Sequence, residues 1–304
     1  MADFELTETP LLSRSTLDRA EDLRGDAAAL AAGWPDAKLL RITRGGQARI
    51  TDNTLVLDDA ADLGPEPVAD AVFLGVDGGR HIWAVFTKDL GGELADLRMV
   101  GAGLSDTDAG MMTTAVGLLN WHKTARFSSI DGTPTHAANA GWSRISEAGH
   151  EEFPRSDPAI ICLVHDDADR VLLARQHSWP ERRYSILAGF VETGESFERC
   201  VTREIHEEVG LDVTSVRYLG SQPWPFPRSV MIGFSAVADP EQPLKFHDGE
   251  IAEAHWFTRA EVVEALAVGD WGARSDARLL LPGSISIARG IVSSWAGSVP
   301  PASA

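Results

Sequence analysis

Residues 189–211 read GFVETGESFERCVTREIHEEVGL, and the rest of the chain is interpreted around them. Apolar side chains recur at every fourth position, at Phe197, Val201, Ile205 and Val209. That period predicts an amphipathic α-helix. Residues 193–196 offer turn and N-cap chemistry before the helix, and Gly210 offers the stop after it.

Three glutamates crowd one sector of this predicted helix. Glu204 and Glu208 are i,i+4 neighbours, and Glu207 lies three residues after Glu204. Like charges this close resist joint ionisation unless a cation sits among them. Mg²⁺ and Mn²⁺ prefer oxygen ligands and leave positions open for water and phosphate oxygens, so we expect one of these ions here. Arg203 is placed to hold the Glu207 carboxylate and to balance part of its charge.

The alternative for this stretch is an acidic, solvated helix face that ends in an ordinary capping glycine. Two residues outside the helix, Gly189 and Glu195, extend the fixed pattern beyond what such a face requires. A longer pattern in a matching structural context favours a functional site.

Composition limits the class of protein. The chain has 304 residues, of which 44% are hydrophobic and 24% charged, enough for two globular domains. Its formal charge of -18 argues against a broad nucleic-acid surface but leaves room for a small basic site. The first residues, MADFELTETP, lack a basic region followed by an apolar run, and Cys162 and Cys200 are too few for a disulfide framework. We therefore expect a cytoplasmic protein that does not enter a membrane.

The order of predicted elements indicates three parts. Residues 1–125 are predicted to form an N-terminal α+β domain, with helices over 16–32 and 107–124 and short strands LLRIT, ARIT, TLVL, AVFLGV and HIWAVF between them. Residues 126–157 are glycine- and turn-rich and predict a small hairpin module. Residues 158–304 are predicted to form an α/β catalytic domain, in which strands surround the carboxylate-bearing helix.

A proline-rich segment, SQPWPFPRS at 221–229, is the next informative stretch. Its prolines fix φ and remove amide donors, which predicts an extended, stiff loop. Alternation would place Trp224 and Phe226 on one side, where they suit a flat heteroaromatic ring attached to phosphate. The alternative is a proline-rich edge whose aromatic side chains fill the core or a subunit interface.

Together, these segments resemble a known family. The glutamate pattern matches the Nudix box, and the box followed by SQPWPFPRS resembles the NADH pyrophosphatase (NudC-type) branch of the Nudix hydrolases. The resemblance covers roughly residues 95–295 and includes FSSIDG, GWSRISEAG and FPRSDPAII. It implies a Nudix α/β sandwich and metal-dependent hydrolysis of the pyrophosphate of NADH or NAD⁺, giving NMNH or NMN and AMP. It also implies a homodimer and removal of NAD caps from RNA.

The chain departs from this family in the segment where the family carries a zinc ribbon. The positions aligned with the four zinc cysteines are Ser128, Asp131, Ile145 and Ala148. Isoleucine and alanine cannot ligate zinc, so we expect no zinc. Asp131 with His136 or His150 would still fall short of four donors. We therefore expect the hairpin to be held by packing, through Trp142 and domain contacts.

The resemblance assigns the metal site to Glu204, Glu208 and Glu250 with the carbonyl of Ala188, holding two or three Mg²⁺ or Mn²⁺ ions. Glu207 is expected to join through metal or water. Metal-assisted hydrolysis then requires Glu207 or Glu208 to orient the attacking water, and the sequence does not choose between them. Arg203, Glu207 and Glu208 are the predicted catalytic residues.

The resemblance also implies the substrate contacts. They fall on Gln222, Pro223, Trp224, Pro225, Phe226, Pro227, Arg228, Ser229, Phe153, Arg98 and Ala288. Phe153 replaces a tyrosine of the family, and Arg228 stands where a glutamine is common. Trp224 would stack on a base within its own subunit or across a dimer interface.

Three functions follow from these observations. The first is an NADH pyrophosphatase, and the second is the same chemistry with NAD-capped RNA as the principal substrate. The third is a nucleotide-binding or regulatory module without turnover, which the lost ribbon would suggest. The complete set Glu204, Glu207 and Glu208 favours an enzyme, because a binding module has no chemical need for it.

Overall fold

The computed structural model describes residues 4–246 and 249–298. The helices in this part of the chain are α1 Ala27–Gly33, α2 Leu97–Val100, α3 Asp106–Thr124, α4 Phe197–Val209, α5 Arg259–Val268 and α6 Ile287–Gly297. The strands are β1 Lys38–Thr43, β2 Gln47–Thr51, β3 Thr54–Leu55, β4 Asp58–Asp59, β5 Val72–Asp77, β6 Arg80–Thr87, β7 Leu94–Asp96, β8 Thr135–Ala138, β9 Ser143–Ser146, β10 Glu151–Glu152, β11 Asp157–His165, β12 Arg170–Gln176, β13 Leu187–Phe190, β14 Val213–Trp224, β15 Ser229–Ala238 and β16 Ile251–Thr258.

Most predicted elements are present, but the helix predicted over 16–32 is wrong in its first half. The α-helix begins only after Asp26, whose side chain accepts hydrogen bonds from the amides of Ala28 and Ala29. Upstream, Asp18 forms a β-bridge with Val76, and this pairing holds the chain extended where the alanine-rich pattern alone predicted helix.

The described residues fall into two compact units. The first holds the residues up to Leu11, Asp157–Gln222 and the residues from Ser229 onward, and the second holds Leu12–Ser156 with Pro223–Arg228. The predicted limits of the terminal domains, at 1–3 and 299–304, lie outside the described residues. The three-part division at 125 and 157 stays a proposal.

Alternating side chains of strand β11 give the first unit its two layers of core. Its sheet has the strand order β14-β15-β11-β12-β16, with β13 also paired to β11. Ile160, Cys162 and Val164 pack with the apolar face of α4, whereas Ile161 and Leu163 pack with α6. Successive strand residues point to opposite faces, so helices cover both sides of the sheet. This arrangement confirms the predicted α/β sandwich around the carboxylate-bearing helix.

A four-stranded sheet with the order β4-β1-β6-β5 forms the centre of the second unit. Strands β1 and β6 are parallel, and α3 packs against this sheet. Three aromatic side chains anchor the core, since the ring of Trp83 lies 5.2 Å from those of both Trp34 and Phe73. Strands β3, β2 and β7 make a smaller sheet in the same unit.

The predicted hairpin module is a three-stranded antiparallel sheet with the order β10-β9-β8. As expected, Trp142 ties it to the rest of the second unit. The indole Nε1 of Trp142 donates to the carbonyl of Phe73 at 2.7 Å, and the Arg24 guanidinium lies 3.7 Å from the Trp142 ring centre.

Packing is not the whole explanation for this module, because hydrogen bonds join its corner. The Ser128 hydroxyl donates to Glu152 on β10 at 2.6 Å and accepts from the amides of Ile130 and Asp131. The Asp131 carboxylate accepts from Ser146 on β9 at 2.9 Å. Ser128 and Asp131 are two of the positions aligned with zinc cysteines, so direct polar bonds connect the segments that a metal would connect in the family.

No helix within the described ranges combines the length and the apolar character that a bilayer crossing requires.

Candidate active site

Helix α4 carries the predicted glutamates, and both of its ends are capped as the sequence predicts. The Ser196 side chain accepts from the amide of Arg199, and Gly210 closes the helix with φ +73°. The apolar stripe of α4 is buried in the core of the first unit. This fixes which face of the helix is left for the carboxylates.

Arg203 is the centre of the site and binds three carboxylates. Its guanidinium nitrogens lie 2.6 Å from Glu195, 2.9 Å from Glu204 and 2.8 Å from Glu207. It also donates to the carbonyl of Phe190 on β13 at 3.0 Å. Guanidinium offers five donors in one plane, which allows several partners at once. The predicted Arg203–Glu207 pair is confirmed.

Glu195 is a residue that our sequence reasoning left out of the site. One carboxylate oxygen accepts from the amide of Glu192 at 2.8 Å, and both oxygens accept from Arg203. The hydrogen bond from Arg203 is the main cause that lowers the pKa of Glu195 to about 2. Glu195 therefore ties the turn before α4 to the arginine on α4. Its fixed place in the glutamate pattern was the available signal.

The Glu204 carboxylate lies directly against strand β13, at Gly189. A Cβ atom added at Gly189 would lie 1.9 Å from the Glu204 Cδ and 2.2 Å from both carboxylate oxygens. Glycine is thus required here for the close approach of a side chain to the backbone. Burial raises the pKa of Glu204, and the hydrogen bond from Arg203 opposes that shift. The contact places Glu204 one residue from Ala188, its predicted partner in the metal site.

The remaining carboxylates differ in exposure. Glu208 is 2% exposed, whereas the Glu207 side chain is 51% exposed. Glu250 is exposed and lies immediately before β16, one of the strands against which α4 packs. Glu207 and Glu208, the two candidates for orienting the attacking water, therefore differ in their exposure to solvent.

Within residues 4–246 and 249–298, no three His, Cys, Asp or Glu side chains converge as a ready metal site. His247 and Asp248, which precede Glu250, lie outside those ranges. The chemistry of the donors still fits a hard divalent cation, because Glu204, Glu208, Glu250 and a backbone carbonyl all offer oxygen. The Glu204 carboxylate also sits where a side chain at residue 189 would displace it.

The prediction of an extended loop over 221–229 is wrong, because residues 221–224 belong to a strand and residues 225–228 form a turn. Strand β14 continues through Trp224, and a tight turn then leads into β15, its neighbour in the sheet. The amide of Phe226 donates to the carbonyl of Trp224 at 2.7 Å, and the Phe226–Pro227 peptide is cis. The two rings meet edge to face, 4.9 Å apart. Because consecutive strands pair, the chain must reverse within this segment.

Arg98 and Phe226, two predicted substrate contacts far apart in sequence, are brought together. The Arg98 guanidinium lies 4.2 Å from the centre of the Phe226 ring, a cation–π distance. Both side chains line a cavity of about 390 Å³ within the second unit. Arg44 also lines this cavity, and no motif or spacing in the sequence predicts it there.

Other predicted substrate contacts are differently placed. Gln222 is fully buried, and its amide donates to the carbonyl of Ile285 at 3.0 Å. Ala288 is 1% exposed and packs in the core through α6. Phe153 is 54% exposed. The other members of the segment are Pro223, Pro227 and Arg228, which are exposed, Pro225, which is buried, and Ser229, which opens β15.

The chain is similar to known protein families and to individual proteins. A model described as NUDIX domain matches residues 155–278, and one described as NADH pyrophosphatase-like rudimentary NUDIX domain matches 24–121. Over 303 residues the chain is 57% identical to the NAD-capped RNA hydrolase NudC of Mycobacterium bovis, with 97% of each chain covered. The chain belongs to the Nudix hydrolase family, in its NudC branch.

Other similarities within the Nudix family are weaker. The mitochondrial NAD(P)H pyrophosphatase NUDT13 of Mus musculus is 40% identical over 213 residues, which is 68% of this chain and 60% of that protein. Among solved structures, a NUDIX hydrolase from Nitrosomonas europaea is 19% identical, with a TM-score of 0.38 over 44% of this chain and 77% of that one.

The rudimentary Nudix match makes the description of the N-terminal α+β domain more specific. It runs from before α1 to residue 121, within α3, and lies in the second unit. Helix α3, DTDAGMMTTAVGLLNWHKT, has no glutamate, and ten of its residues are buried. Without the box there was no signal from which sequence reasoning would find a second Nudix domain. The glutamates predicted to be catalytic therefore lie within the NUDIX match at 155–278.

Proposed function

We propose that this chain hydrolyses the pyrophosphate bond of NADH and NAD⁺, giving NMNH or NMN and AMP, and that it removes NAD caps from RNA by the same reaction. The observation that carries the proposal is the Arg203 cluster on α4, with Glu204 set against Gly189. The cluster shows that the residues of the Nudix box contact one another as a site. The chain is also 57% identical to a protein named as an NAD-capped RNA hydrolase.

Two or three divalent cations, Mg²⁺ or Mn²⁺, would be held at each site by Glu204, Glu208 and Glu250 together with the Ala188 carbonyl. When bound, they supply Lewis-acid stabilisation of the pyrophosphate and lower the pKa of a water molecule. The residues of the chain position the reacting groups. Arg203 restrains Glu204 through a 2.9 Å contact, so that carboxylate is held in place before substrate binds.

We assign the orientation of the attacking water to Glu208. Glu207 is bound by Arg203 at 2.8 Å, and its side chain is half exposed. Glu208 is almost fully buried one turn further along the helix from Glu204. A buried carboxylate acts in surroundings of low dielectric, where its interaction with a water proton is stronger than in bulk solvent.

Recognition of the substrate rings is assigned to Trp224 and Phe226, and contact with phosphate or ribose to Arg98 and Arg228. The edge-to-face pair leaves one ring face of Phe226 to Arg98, so aromatic and cationic chemistry meet at one point. That combination suits a nucleotide. We further propose that the chain acts as a homodimer, which size-exclusion chromatography with light scattering would test.

Product analysis tests the reaction. Purified protein is incubated with NADH and Mn²⁺ or Mg²⁺, and the products are separated by chromatography, with EDTA in a parallel sample. We expect NMNH and AMP in equal amounts, and none with EDTA. Absence of turnover with every divalent ion tried would overturn the proposal, as would cleavage at any other bond.

A further inference from the structure

The second unit contains a basic cavity that the proposed chemistry does not use. Its volume is about 680 Å³. Its charged lining consists of Arg44, Lys88, Lys123, Arg126, Arg144 and a single carboxylate, Asp70. The whole chain has the opposite balance, with 27 basic and 45 acidic residues. Such a local reversal of charge marks a site for an anion.

Four of these cations present their charge to solvent. Arg44, Lys88, Lys123 and Arg126 are all exposed. In the described ranges, none of the four forms an ion pair with an acidic side chain. Their charge is therefore available to a ligand, whereas Arg203 of the Nudix box is neutralised by glutamates.

Arg144 and His122 form a fixed wall of the cavity. Arg144 donates to Thr135 through Nε at 2.7 Å and to Nδ1 of His122 at 2.8 Å. Because Nδ1 accepts, His122 carries its proton on Nε2, which donates to the carbonyl of Gly141 at 2.8 Å. The wall is thus built from bonded groups before any ligand arrives.

One residue is shared by the basic cavity and the smaller cavity next to the turn between β14 and β15. Arg44 lines both the basic cavity and the smaller cavity formed by Arg98 and Phe226. Its guanidinium also lies 5.7 Å from the ring of Phe86, which lines the basic cavity. All of these residues belong to the second unit, and Arg44 is a lining residue that the two cavities share.

We propose that the basic cavity binds the phosphodiester backbone of the single-stranded RNA that follows an NAD cap. This inference rests on the proposed function. Proteins bind single-stranded RNA with a positively charged groove and aromatic platforms, and the two cavities offer both. NADH ends at its two nucleosides and has no chain to place there. The cavity should therefore distinguish capped RNA from the free dinucleotide.

Charge reversal at Lys123 and Arg126 tests the assignment. The Lys123→Glu/Arg126→Glu protein is compared with wild type on NADH and on a short NAD-capped RNA, at several salt concentrations. We expect kcat/KM on capped RNA to fall at least about tenfold and that on NADH to stay within about twofold. If two phosphate contacts are lost, the slope of log kcat/KM against log salt should flatten by about 1.4 for capped RNA.

A control variant separates the cavity from net charge. Arg80 and Arg274 are exposed and line neither cavity, so Arg80→Glu/Arg274→Glu changes the charge of the chain by the same amount. We expect it to behave as wild type on both substrates. An equal loss on capped RNA in this control would overturn the assignment, and so would an equal loss on NADH in the cavity variant.

Direct binding keeps this test independent of turnover. A labelled, uncapped single-stranded RNA is titrated with each protein and followed by fluorescence anisotropy. Wild type and the control should bind, and the cavity variant should bind at least about tenfold more weakly. ATP shares the phosphate chemistry, and its displacement of the RNA at lower concentration than unlabelled RNA would overturn the RNA assignment. Failure of NADH hydrolysis with RNA binding intact would refute the proposed function alone.

Discussion

Gly189→Ala is the substitution that tests most directly whether the position of Glu204 matters. The new Cβ would lie 1.9 Å from the Glu204 Cδ, and ordinary carbon contacts begin near 3.4 Å. The carboxylate must therefore retreat by about 1.5 Å. It is the end of a flexible side chain, so the backbone of β13 can stay where it is. The retreat would also break the 2.9 Å contact with Arg203.

The expected result is a loss of activity with little loss of stability. A misplacement of about 1 Å in a catalytic group can cost about 100-fold in rate, so kcat on NADH should fall by at least that factor. Arg203 keeps its contacts with Glu195 and Glu207, so the loss of its hydrogen bond with the mostly buried Glu204 should cost about 1.5–3 kcal/mol, and the melting temperature should fall by only a few degrees.

Steady-state kinetics with saturating metal ion and thermal unfolding measure the two effects. Gly290→Ala is the matched control, because Gly290 is exposed in α6 and an added Cβ there meets nothing within 4 Å. This variant should keep full activity. If Gly189→Ala turned over NADH within about threefold of wild type, the carboxylate would not need its place against β13, and the reasoning would be refuted.

Three further predictions concern single carboxylates and one hydroxyl. Because the Arg203 hydrogen bond lowers the pKa of Glu195 from 4.5 to about 2, its stabilisation is complete above pH 4.5 and is lost as the pH falls towards 2. Glu195→Gln should cost about 2 kcal/mol at neutral pH and flatten that acid-dependent loss, measured by urea unfolding. Ser128→Ala, which removes the donor to Glu152, should lower the unfolding free energy by about 1–3 kcal/mol, while a zinc chelator leaves the melting temperature of wild type unchanged. Glu208→Gln should abolish NADH turnover and retain the fold by circular dichroism, and a wild-type rate would remove α4 from the mechanism.

Local spacing explains what the sequence could predict about the site. Helix α4 and the Arg203–Glu207 pair depend on residues within one turn of each other, so periodicity and the i,i+4 rule were sufficient. The contacts of Arg203 with Glu195 and of Glu204 with Gly189 depend on how β13 and the following turn return to the helix. Contacts between residues outside one helical turn leave no periodic signal in the sequence. Only the fixed positions of Gly189 and Glu195 in the motif indicated that they belong to the site.

The wrong predictions share one physical cause, which is a partner distant in sequence. Alanine-rich residues 16–32 have helical propensity, but the bridge between Asp18 and Val76 overrides it in the first part. The prolines of 221–229 restrict single residues, whereas pairing of β14 with β15 decides the direction of the chain. The substrate contact at Gln222 stays a prediction, and the structure adds that its amide donates to the carbonyl of Ile285 in the core.

The distribution of positive charge explains how a chain of formal charge -18 can handle anionic substrates. Arg203 does not neutralise phosphate, because three carboxylates already occupy its guanidinium. By binding Glu204 and Glu207, it lets two carboxylates of the box lie close together, and Glu204 is one of the proposed oxygen donors for the cation. In the proposed mechanism, positive charge for the dinucleotide comes from the divalent ion together with Arg98 and Arg228, and that for a longer RNA chain comes from the basic cavity. The reaction and the recognition of a longer chain would therefore depend on different cations. Metal removal should stop hydrolysis of both NADH and NAD-capped RNA, whereas charge reversal in the cavity should slow only the hydrolysis of capped RNA.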